Sequence, residues 1–333
     1  MKIVRAAVVG AGALAMASLA FAQGPAKAQG QAGDEAAKVR LHMAPRLAEI
    51  ARGGSLEGVF VEVEDMNKEV LRRAKIWPNG VTIWNRERQF QLPEAGHRRI
   101  LKMLADSAFL DIPDSAGAWP GVKPPAVKQW TRGITLTIGE LSKYAGQSNK
   151  GAQSEAYTKL VRSILAIIEP HAAKGVTAAS LQEGVAKLAG GELAAEAFSL
   201  LVSSPQLPEL GEKQPAGWLA RVDGRVLIAR PHSVRDGFGP EEKRPLTDEE
   251  WKALLSVVAG AHPEAWPASL NVPGYTDLAV TVLNHSVSTQ ARSFSGASTT
   301  AQEAAAAFVS LRRHVARLAG PVAAGVARPT TAP

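Results

Sequence analysis

The sequence predicts an α+β protein made of two tandem copies of one module, and three observations lead to this class. Short stretches of alternating apolar and polar residues predict strands, and tight-turn signals such as Asn79-Gly80 join them into hairpins. Segments with helical periodicity follow the hairpins, which favours antiparallel sheets with helices on one face. The same order of turns, strands and helices recurs about 140 residues further along the chain, as expected for an internal repeat.

The first copy has the order hairpin, helix, hairpin, helix. Asn79-Gly80 predicts a tight two-residue turn, because both residues tolerate positive φ angles, and Gly139 at the start of Gly139-Glu140 predicts a type II′ turn. The predicted strands are residues 59–63, 69–76, 81–84, 134–138 and 141–145. The predicted helices are residues 97–104 and 154–168, where apolar side chains recur at helical spacing.

The second copy repeats these signals in the same order. Asp223-Gly224 follows Asn79-Gly80 by 144 residues, and the alternating strand around Leu136 recurs at that same distance around Val280. Thr247-x-x-Glu250 and Thr300-x-x-Glu303 predict capping boxes at two helix starts. Shorter echoes are Gly53-Gly54 with Gly190-Gly191, Ala118-Trp119-Pro120 with Ala265-Trp266-Pro267, and Gly151-Ala152 with Gly296-Ala297. The alternative is two unrelated α+β segments that share common turn chemistry.

The first 22 residues have the pattern of an export signal. Lys2 and Arg5 precede an apolar run over residues 6–19, and the small residues Ala20 and Ala22 suit cleavage before Gln23. The apolar run is shorter than the roughly 20 residues that a membrane span needs, so a retained anchor is the less favoured interpretation. We therefore expect a periplasmic or secreted protein without a transmembrane anchor after cleavage.

The remaining chain divides by composition into modules and polar or small-residue segments. The predicted organisation is a signal peptide over 1–22, a disordered linker over 23–35, copy 1 over 36–173, copy 2 over 177–319 and a disordered tail over 320–333. The linker is rich in Gln, Gly and Ala, and the tail is rich in Pro, Ala and Thr without periodicity.

Composition limits the chemistry that the chain can perform. The chain has no cysteine, which excludes disulfides, thiolate catalysis, zinc–cysteine sites and lipidation at a signal-peptidase cysteine. The net charge is +7, and loss of Lys2 and Arg5 with the signal leaves +5. This excess is mild and scattered, so it is compatible with anionic surfaces but does not indicate nucleic-acid binding.

No catalytic, cofactor-binding or metal-binding motif stands out. The seven histidines never fall at i, i+2 or i, i+4 spacing, which disfavours a zinc site. The acidic group Glu62-Val63-Glu64-Asp65 lacks the glycine and closing glutamate of a calcium loop. The serine-rich stretch 286–300 contains no Gly-x-Ser-x-Gly elbow. The sequence therefore does not favour an enzyme.

One cationic stretch is a candidate binding surface. Residues 68–102 contain nine cations against three anions, with two tryptophans between them. Arginine and tryptophan are enriched at interface hot spots, so this stretch could bind an anionic partner. Its candidate residues are Arg72, Arg73, Lys75, Trp77, Trp84, Arg86 and Arg88. The alternative is a set of ordinary solvated strand faces, and the second copy has no matching density of cations.

These observations together favour an exported, soluble binding or interaction protein whose ligand the sequence does not specify. The expected partner is a protein or an anionic component of the cell envelope. Two alternatives stay open: an exported hydrolase with carboxylate chemistry that spacing does not reveal, and a cell-envelope structural protein that contacts anionic lipid or polymer. A cavity with converging Asp, Glu and His side chains would favour the hydrolase, and a flat or grooved sheet face would favour binding.

The export signal gives the first testable prediction. The exported protein should begin at about Gln23, because signal peptidase cleaves after small residues such as Ala20 and Ala22. N-terminal sequencing of protein recovered from outside the cytoplasm measures this directly. Recovery of a mature form that still begins with Met1 would overturn the signal-peptide assignment.

Overall fold

The computed structural model describes residues 28–66, 71–112, 131–148, 155–205, 217–233, 237–272, 275–292 and 302–320. This part of the chain contains six α-helices and two antiparallel sheets, so the predicted α+β class is confirmed. The helices are α1 (Ala28–Ala51), α2 (Glu94–Asp106), α3 (Glu155–Ala172), α4 (Leu181–Ala189), α5 (Asp248–Ala261) and α6 (Gln302–Ala319). None of these described helices is long and apolar enough to cross a membrane.

Several sequence predictions concern residues outside these ranges. They are the signal over 1–22, the tail beyond Gly320, the echo at Ala118-Trp119-Pro120, the pair Gly151-Ala152 with Gly296-Ala297, and the cap at Thr300. Helix α1 begins at Ala28 and so extends through part of the segment predicted as a linker. Alanine, glutamine and glutamate have high helix propensity, which outweighs the glycines there.

The first sheet has six strands in the order β4-β3-β2-β1-β5-β6, with every neighbouring pair antiparallel. The strands are β1 (Val59–Met66), β2 (Leu71–Ile76), β3 (Val81–Trp84), β4 (Arg88–Gln91), β5 (Thr131–Ile138) and β6 (Leu141–Ser148). Strand β1 is central, because β2 pairs with one edge of it and β5 with the other.

The second sheet has eight strands around the central strand β7 (Phe198–Ser204). Its path is β10-β9-β8-β7-β13-β14-β12, and β11 also pairs with β9. The other strands are β8 (Gly217–Asp223), β9 (Val226–Ser233), β10 (Gly237–Phe238), β11 (Glu242–Pro245), β12 (Ser269–Asn271), β13 (Thr276–Val282) and β14 (His285–Arg292). Only the short β12 runs parallel to its neighbour among the described strands.

Each sheet buries one face against helices. Val59, Val61 and Val63 alternate along β1 and are fully buried, as are their register partners Ile134 and Leu136 on β5. Alternation places such residues on one face of a sheet, where they form a core with the apolar stripes of α1, α2 and α3. The second sheet forms the equivalent core with α4, α5 and α6. Burial of these apolar side chains is the main stabilising contribution.

Two of the predicted turns differ from each other in detail. At Asn79-Gly80 the Gly80 amide bonds to the Trp77 carbonyl and Gly80 has φ +82°, so a turn through Pro78 is followed by a left-handed glycine. At Asp223-Gly224 the two-residue loop is Gly224-Arg225, with positive φ at Gly224. Proline fixes φ near −65° and therefore favours the first inner position of a turn. Pro78 takes that position in the first turn, so Gly80 lies at the end of the turn.

The sequence did not predict strand β4 and the turn that leads to it. Asn85 and Arg86 have φ values of +53° and +63°, and the Glu87 amide bonds to the Trp84 carbonyl. Two consecutive left-handed residues form a type I′ turn, which suits a hairpin. Asn85 accepts a hydrogen bond from the Arg73 amide, and this side-chain contact supports an unusual turn that lacks glycine.

The two halves contact each other through the β3–β4 hairpin. Ile83 lies on the face of the first sheet opposite its own core and is buried in the core of the second half. Gln89 pairs through both backbone groups with Val176, and its side-chain carbonyl accepts a 2.9 Å hydrogen bond from the Ala194 amide. This edge of the first sheet is therefore joined to the chain that leads into the second half.

Buried His97 on α2 is a source of acid sensitivity. Its side chain is fully buried, and neither ring nitrogen has a hydrogen-bond partner in the described structure. Burial, assisted by the neighbouring Arg98 cation, lowers the pKa of His97 from 6.5 to about 4. The folded state therefore resists a proton that the unfolded chain accepts below about pH 6.5.

The free energy of unfolding should fall as the pH drops from about 6.5 towards 4, by about 3 kcal/mol from this group. Replacing His97→Leu removes the titrating group and should flatten this part of the pH dependence. Urea unfolding at neutral pH and at about pH 4.5 measures it. The exposed His42→Leu variant is the control and should keep the acid sensitivity of the parent protein. An equal loss of stability in both variants would contradict the assignment.

Candidate surface for binding

The predicted cationic residues of β2 divide between two faces of the first sheet. Arg72 lies on the helix-covered face, where its Nε is 3.0 Å from Glu169 on α3. Arg73 and Lys75 lie on the opposite face, and both contact the Glu62 carboxylate of β1. Side chains of successive strand residues point in opposite directions, so adjacent cations in the sequence cannot share one surface.

Glu62 partly neutralises the two cations that share its face. The Lys75 Nζ is 3.9 Å from Glu62 Oε2, and the Arg73 guanidinium bonds to Oε1. Burial lowers the pKa of Lys75, although the charges of Glu62 and Asp223 act in the opposite direction. These side chains form a mixed-charge group rather than a cationic one.

The two tryptophans are structural anchors. Trp77 packs edge-on against Phe60, with ring centroids 5.5 Å apart, and against the core of the second half. Trp84 packs against the core of the first half. Both side chains are only partly exposed, so their apolar surface is used mainly within the protein.

The last two predicted residues lie beside the β3–β4 turn. Arg86 is exposed, whereas Arg88 is half-buried in β4 and its Cβ lies against Gly175. The seven predicted residues are thus distributed over two sheet faces, two cores and one turn. The structure does not bring them together as one exposed cluster, because their density in the sequence gives no information on side-chain direction.

The structure instead places a mainly polar set of side chains on the helix-free side of the first sheet, here called the first open face. Its residues are Phe60, Glu62, Glu64, Arg73, Lys75, Thr135, Thr137, Ser142 and Tyr144. The apolar stripes of α1, α2 and α3 pack into the core on the other side of this sheet. At the β3 end of the open side, Ile83 and Trp77 pack instead against the core of the second half. Tyr144, at 40% exposure, is the most exposed large side chain of this face.

Two glycines position Tyr144 flat on this surface. A Cβ atom added at Gly133 would lie 3.0 Å from the Tyr144 ring, and one at Gly146 would collide with the ring and hydroxyl. Partial burial, with the nearby carboxylates of Glu64 and Glu62, raises the pKa of Tyr144. The phenol therefore stays protonated and can act as a hydrogen-bond donor at neutral pH.

The second sheet has a corresponding second open face. Its residues are Ser199, Leu201, Ser203, Leu219, Arg221, Asp223, Arg230, Asp277, Thr281, Ser286, Ser288 and Gln290. Ile228 lies on the same side of the sheet but is buried. Arg221 pairs with Asp223 at 2.8 Å, and the hydroxyls of Thr281 and Ser286 lie 2.9 Å apart. The charge of Asp223 also acts on Lys75 of the first open face, where it opposes the lowering of the Lys75 pKa by burial.

The acidic group at residues 62–65 is separated by the same alternation. Glu62 pairs with Arg73 on the first open face, while Asp65 pairs with Arg132 at 2.9 Å on the helix-covered side. Arg132 also donates to the Thr158 hydroxyl of α3 at 3.0 Å. Within the described residues, no group of three or more histidine and acidic side chains could hold a metal ion.

Sequence reasoning missed the most exposed parts of these faces, notably Tyr144 and Arg221. The usable signal was the polar alternation of β5 and β6, which marks residues that face away from a core. Comparison with known proteins gives no matching family model and no matching curated protein.

Proposed function

We propose that the chain is an exported binding protein whose partner lies across the two open faces. The observation that supports this most is that the helices of each half cover one face of its sheet, and that most polar residues of the other faces lie outside both cores. Such a surface presents two rows of strands to a partner without any change in the cores. A broad, shallow face suits a macromolecule better than a small molecule.

The chemistry of the faces favours a protein partner over an anionic polymer. The charges are mixed in sign, as in the groups Glu62 with Arg73 and Asp223 with Arg221. Hydroxyl side chains and the exposed Tyr144 provide adaptable hydrogen bonds with little entropy cost on binding. Mixed polar surfaces of this type resemble the composition of non-obligate protein interfaces. Export of the protein is supported by the signal pattern at residues 1–22.

We also propose that the two halves are copies of one module. Both sheets place the first strand of the half at the centre, with the next two strands on one side and the last hairpin on the other. The last hairpins carry the same cross-strand hydroxyl pair, at Thr137 with Ser142 and at Thr281 with Ser286. Each pair is related to the other by 144 residues, which is the spacing of the repeated strand pattern.

The turns of these two hairpins share an unusual backbone conformation. Gly139 has φ +63° and Leu283 has φ +54°, although leucine rarely adopts positive φ. The Gly139 amide bonds to the Gly58 carbonyl at 3.0 Å, and the Leu283 amide bonds to the Ala197 carbonyl at 2.9 Å. In each half this bond ties the turn to the residue just before the central strand. Retention of one backbone geometry by such different residues supports a common origin.

Glycine and alanine variants of the turn test this equivalence. Leu283→Ala and Leu283→Gly both lose a buried side chain, but glycine also relieves the left-handed strain. We expect Leu283→Gly to be more stable than Leu283→Ala by about 1 kcal/mol, the reverse of the usual order. Gly139→Ala should lose about as much, since no atom lies within 4 Å of the added Cβ. Denaturant unfolding measures all three, and the usual order at Leu283 would refute the shared turn geometry.

Site-specific photo-crosslinking tests the binding surface. Benzoylphenylalanine at Tyr144 and Ser288 places the probe on the two open faces, and the same residue at Lys102 and Lys159 places it on exposed helix positions. The purified mature protein is irradiated in envelope extract of the producing cells. We expect discrete adducts from Tyr144 and Ser288 only, because the partner covers the strands and not the helices.

A competition assay shows whether the crosslinked adducts come from specific binding. Excess protein without the crosslinker should suppress the adducts, whereas the double variant Tyr144→Ala with Arg221→Ala should compete poorly because it lacks a well-exposed side chain on each face. Both replaced side chains are well exposed, so the fold should remain intact. Adducts confined to the helix positions, or full competition by the double variant, would refute binding through the open faces.

A further inference from the structure

A groove in the helix layer of the second half has the features of a small-molecule site. It runs along α6 beside Val272, which follows strand β12, and its volume is about 520 Å³. This volume lies within the range of roughly 300–1,000 Å³ that is typical of ligand pockets. The groove belongs to the helix layer and is separate from the open faces, so a ligand bound there is independent of the proposed function.

Two cations on the groove have no carboxylate partner among the described residues. Arg313 and Arg317 lie one helical turn apart, both are exposed, and neither forms an ion pair with any described residue. Arg244, by contrast, has a carboxylate partner, because its guanidinium donates two 2.7 Å hydrogen bonds to Glu250. Helix α6 contains a single acidic residue, Glu303 in its first turn, far from the two arginines. An unpaired arginine pair at i, i+4 repels itself and is stabilised by a bound anion.

The electrostatic surroundings of the two arginines are positive. Arg312 is the next cation on the same helix, and burial together with the Arg313 charge lowers the pKa of Arg312. Burial and then the Arg317 charge lower the pKa of His314, while the Glu250 carboxylate, which is bonded to Arg244, acts in the opposite direction. Several positive charges therefore concentrate at this end of α6, where an anion would be attracted.

The remainder of the groove is mainly apolar. Val272, Ala305, Ala306 and Val309 line it, and the alanines leave room because their side chains are short. The buried stripe of α6, with Phe308, Leu311 and Val315, faces the core instead. The groove thus combines a cationic end, at Arg313 and Arg317, with a mainly apolar floor.

We propose that this groove binds a phosphate ester with an apolar chain, the phosphate on Arg313 and Arg317 and the chain over Ala305, Ala306 and Val309. Guanidinium groups match phosphate oxygens with paired hydrogen bonds, which makes two adjacent arginines a suitable receptor. The apolar chain covers the small side chains and is removed from water. Such a phosphate occurs both in soluble esters and in phospholipid headgroups.

Isothermal titration calorimetry with octyl phosphate, kept below its micelle concentration, tests the site on the whole mature protein. We expect saturable binding of octyl phosphate, about tenfold or more weaker binding of inorganic phosphate, and none of octyl glucoside. This order requires both the charge and the chain. Absence of saturable octyl phosphate binding, or equal affinity for inorganic phosphate, would overturn the proposal.

Matched variants test which residues of the groove bind octyl phosphate. The double variant Arg313→Gln with Arg317→Gln should weaken octyl phosphate binding by about tenfold or more, because it removes the charge-assisted hydrogen bonds. Ala306→Trp should also weaken binding by filling the groove without changing the charge. Arg312→Gln is the control, since Arg312 does not line the groove. Unchanged binding in the double variant, or an equal loss in Arg312→Gln, would show unspecific charge attraction and overturn the proposal.

Vesicles distinguish the two sources of the phosphate. Sedimentation with phosphatidylglycerol vesicles, compared with phosphatidylcholine vesicles, measures access to headgroups. Vesicle binding that is lost in the Arg313→Gln with Arg317→Gln variant assigns the site to a lipid, and octyl phosphate binding without vesicle binding assigns it to a soluble ester. Vesicle binding that is retained in the double variant, with no octyl phosphate binding, would refute the groove as the site.

Discussion

The one-sided burial of the two central strands is the constraint on which the structure depends. Val59, Val61 and Val63 on β1, and Phe198, Leu200 and Val202 on β7, are 0–2% exposed. Each of the two strands pairs with a neighbour on both of its edges. A register shift of one residue would turn each apolar triplet to the other face and expose it to water. The register of the central strands therefore fixes where the helices pack. It also places the alternate residues of β1 and β7, among them Glu62, Glu64, Ser199 and Ser203, on the opposite faces.

The contact between the halves modifies this simple arrangement. The β3–β4 hairpin lies at the edge of the first sheet, and its Ile83 side chain enters the core of the second half. An unpaired sheet edge is a risk for aggregation, and the backbone pairing of Gln89 with Val176 covers part of it. The same hairpin thus protects an edge and couples the halves. Even if the halves descend from one module, the present first half has an apolar side chain that only the second half buries.

The distribution of charge shows why a cationic stretch in the sequence differs from a cationic surface. Arg72 and Arg73 are neighbours in the sequence but lie on opposite faces, and each meets a carboxylate from another element. On α6, by contrast, Arg313 and Arg317 are four residues apart and share one side of the helix. Helical spacing brings these two together, and no described carboxylate lies within ion-pair distance of them. The density of cations in the sequence therefore gives no information on which cations share a surface in the folded protein.

The sequence alone determined the α+β class, most strand positions, the capping box at Thr247 and the location of the tight turns. These features depend on alternation, periodicity and turn chemistry, which act over a few neighbouring residues. It did not determine strand β4, because the turn at Asn85 and Arg86 lacks glycine and depends on a contact with β2. Only the tertiary structure decided which polar residues adjoin, such as Arg72 with Glu169, and which of the described arginines lie apart from any described carboxylate. Those outcomes are set by contacts between residues distant in the chain, which no local pattern encodes.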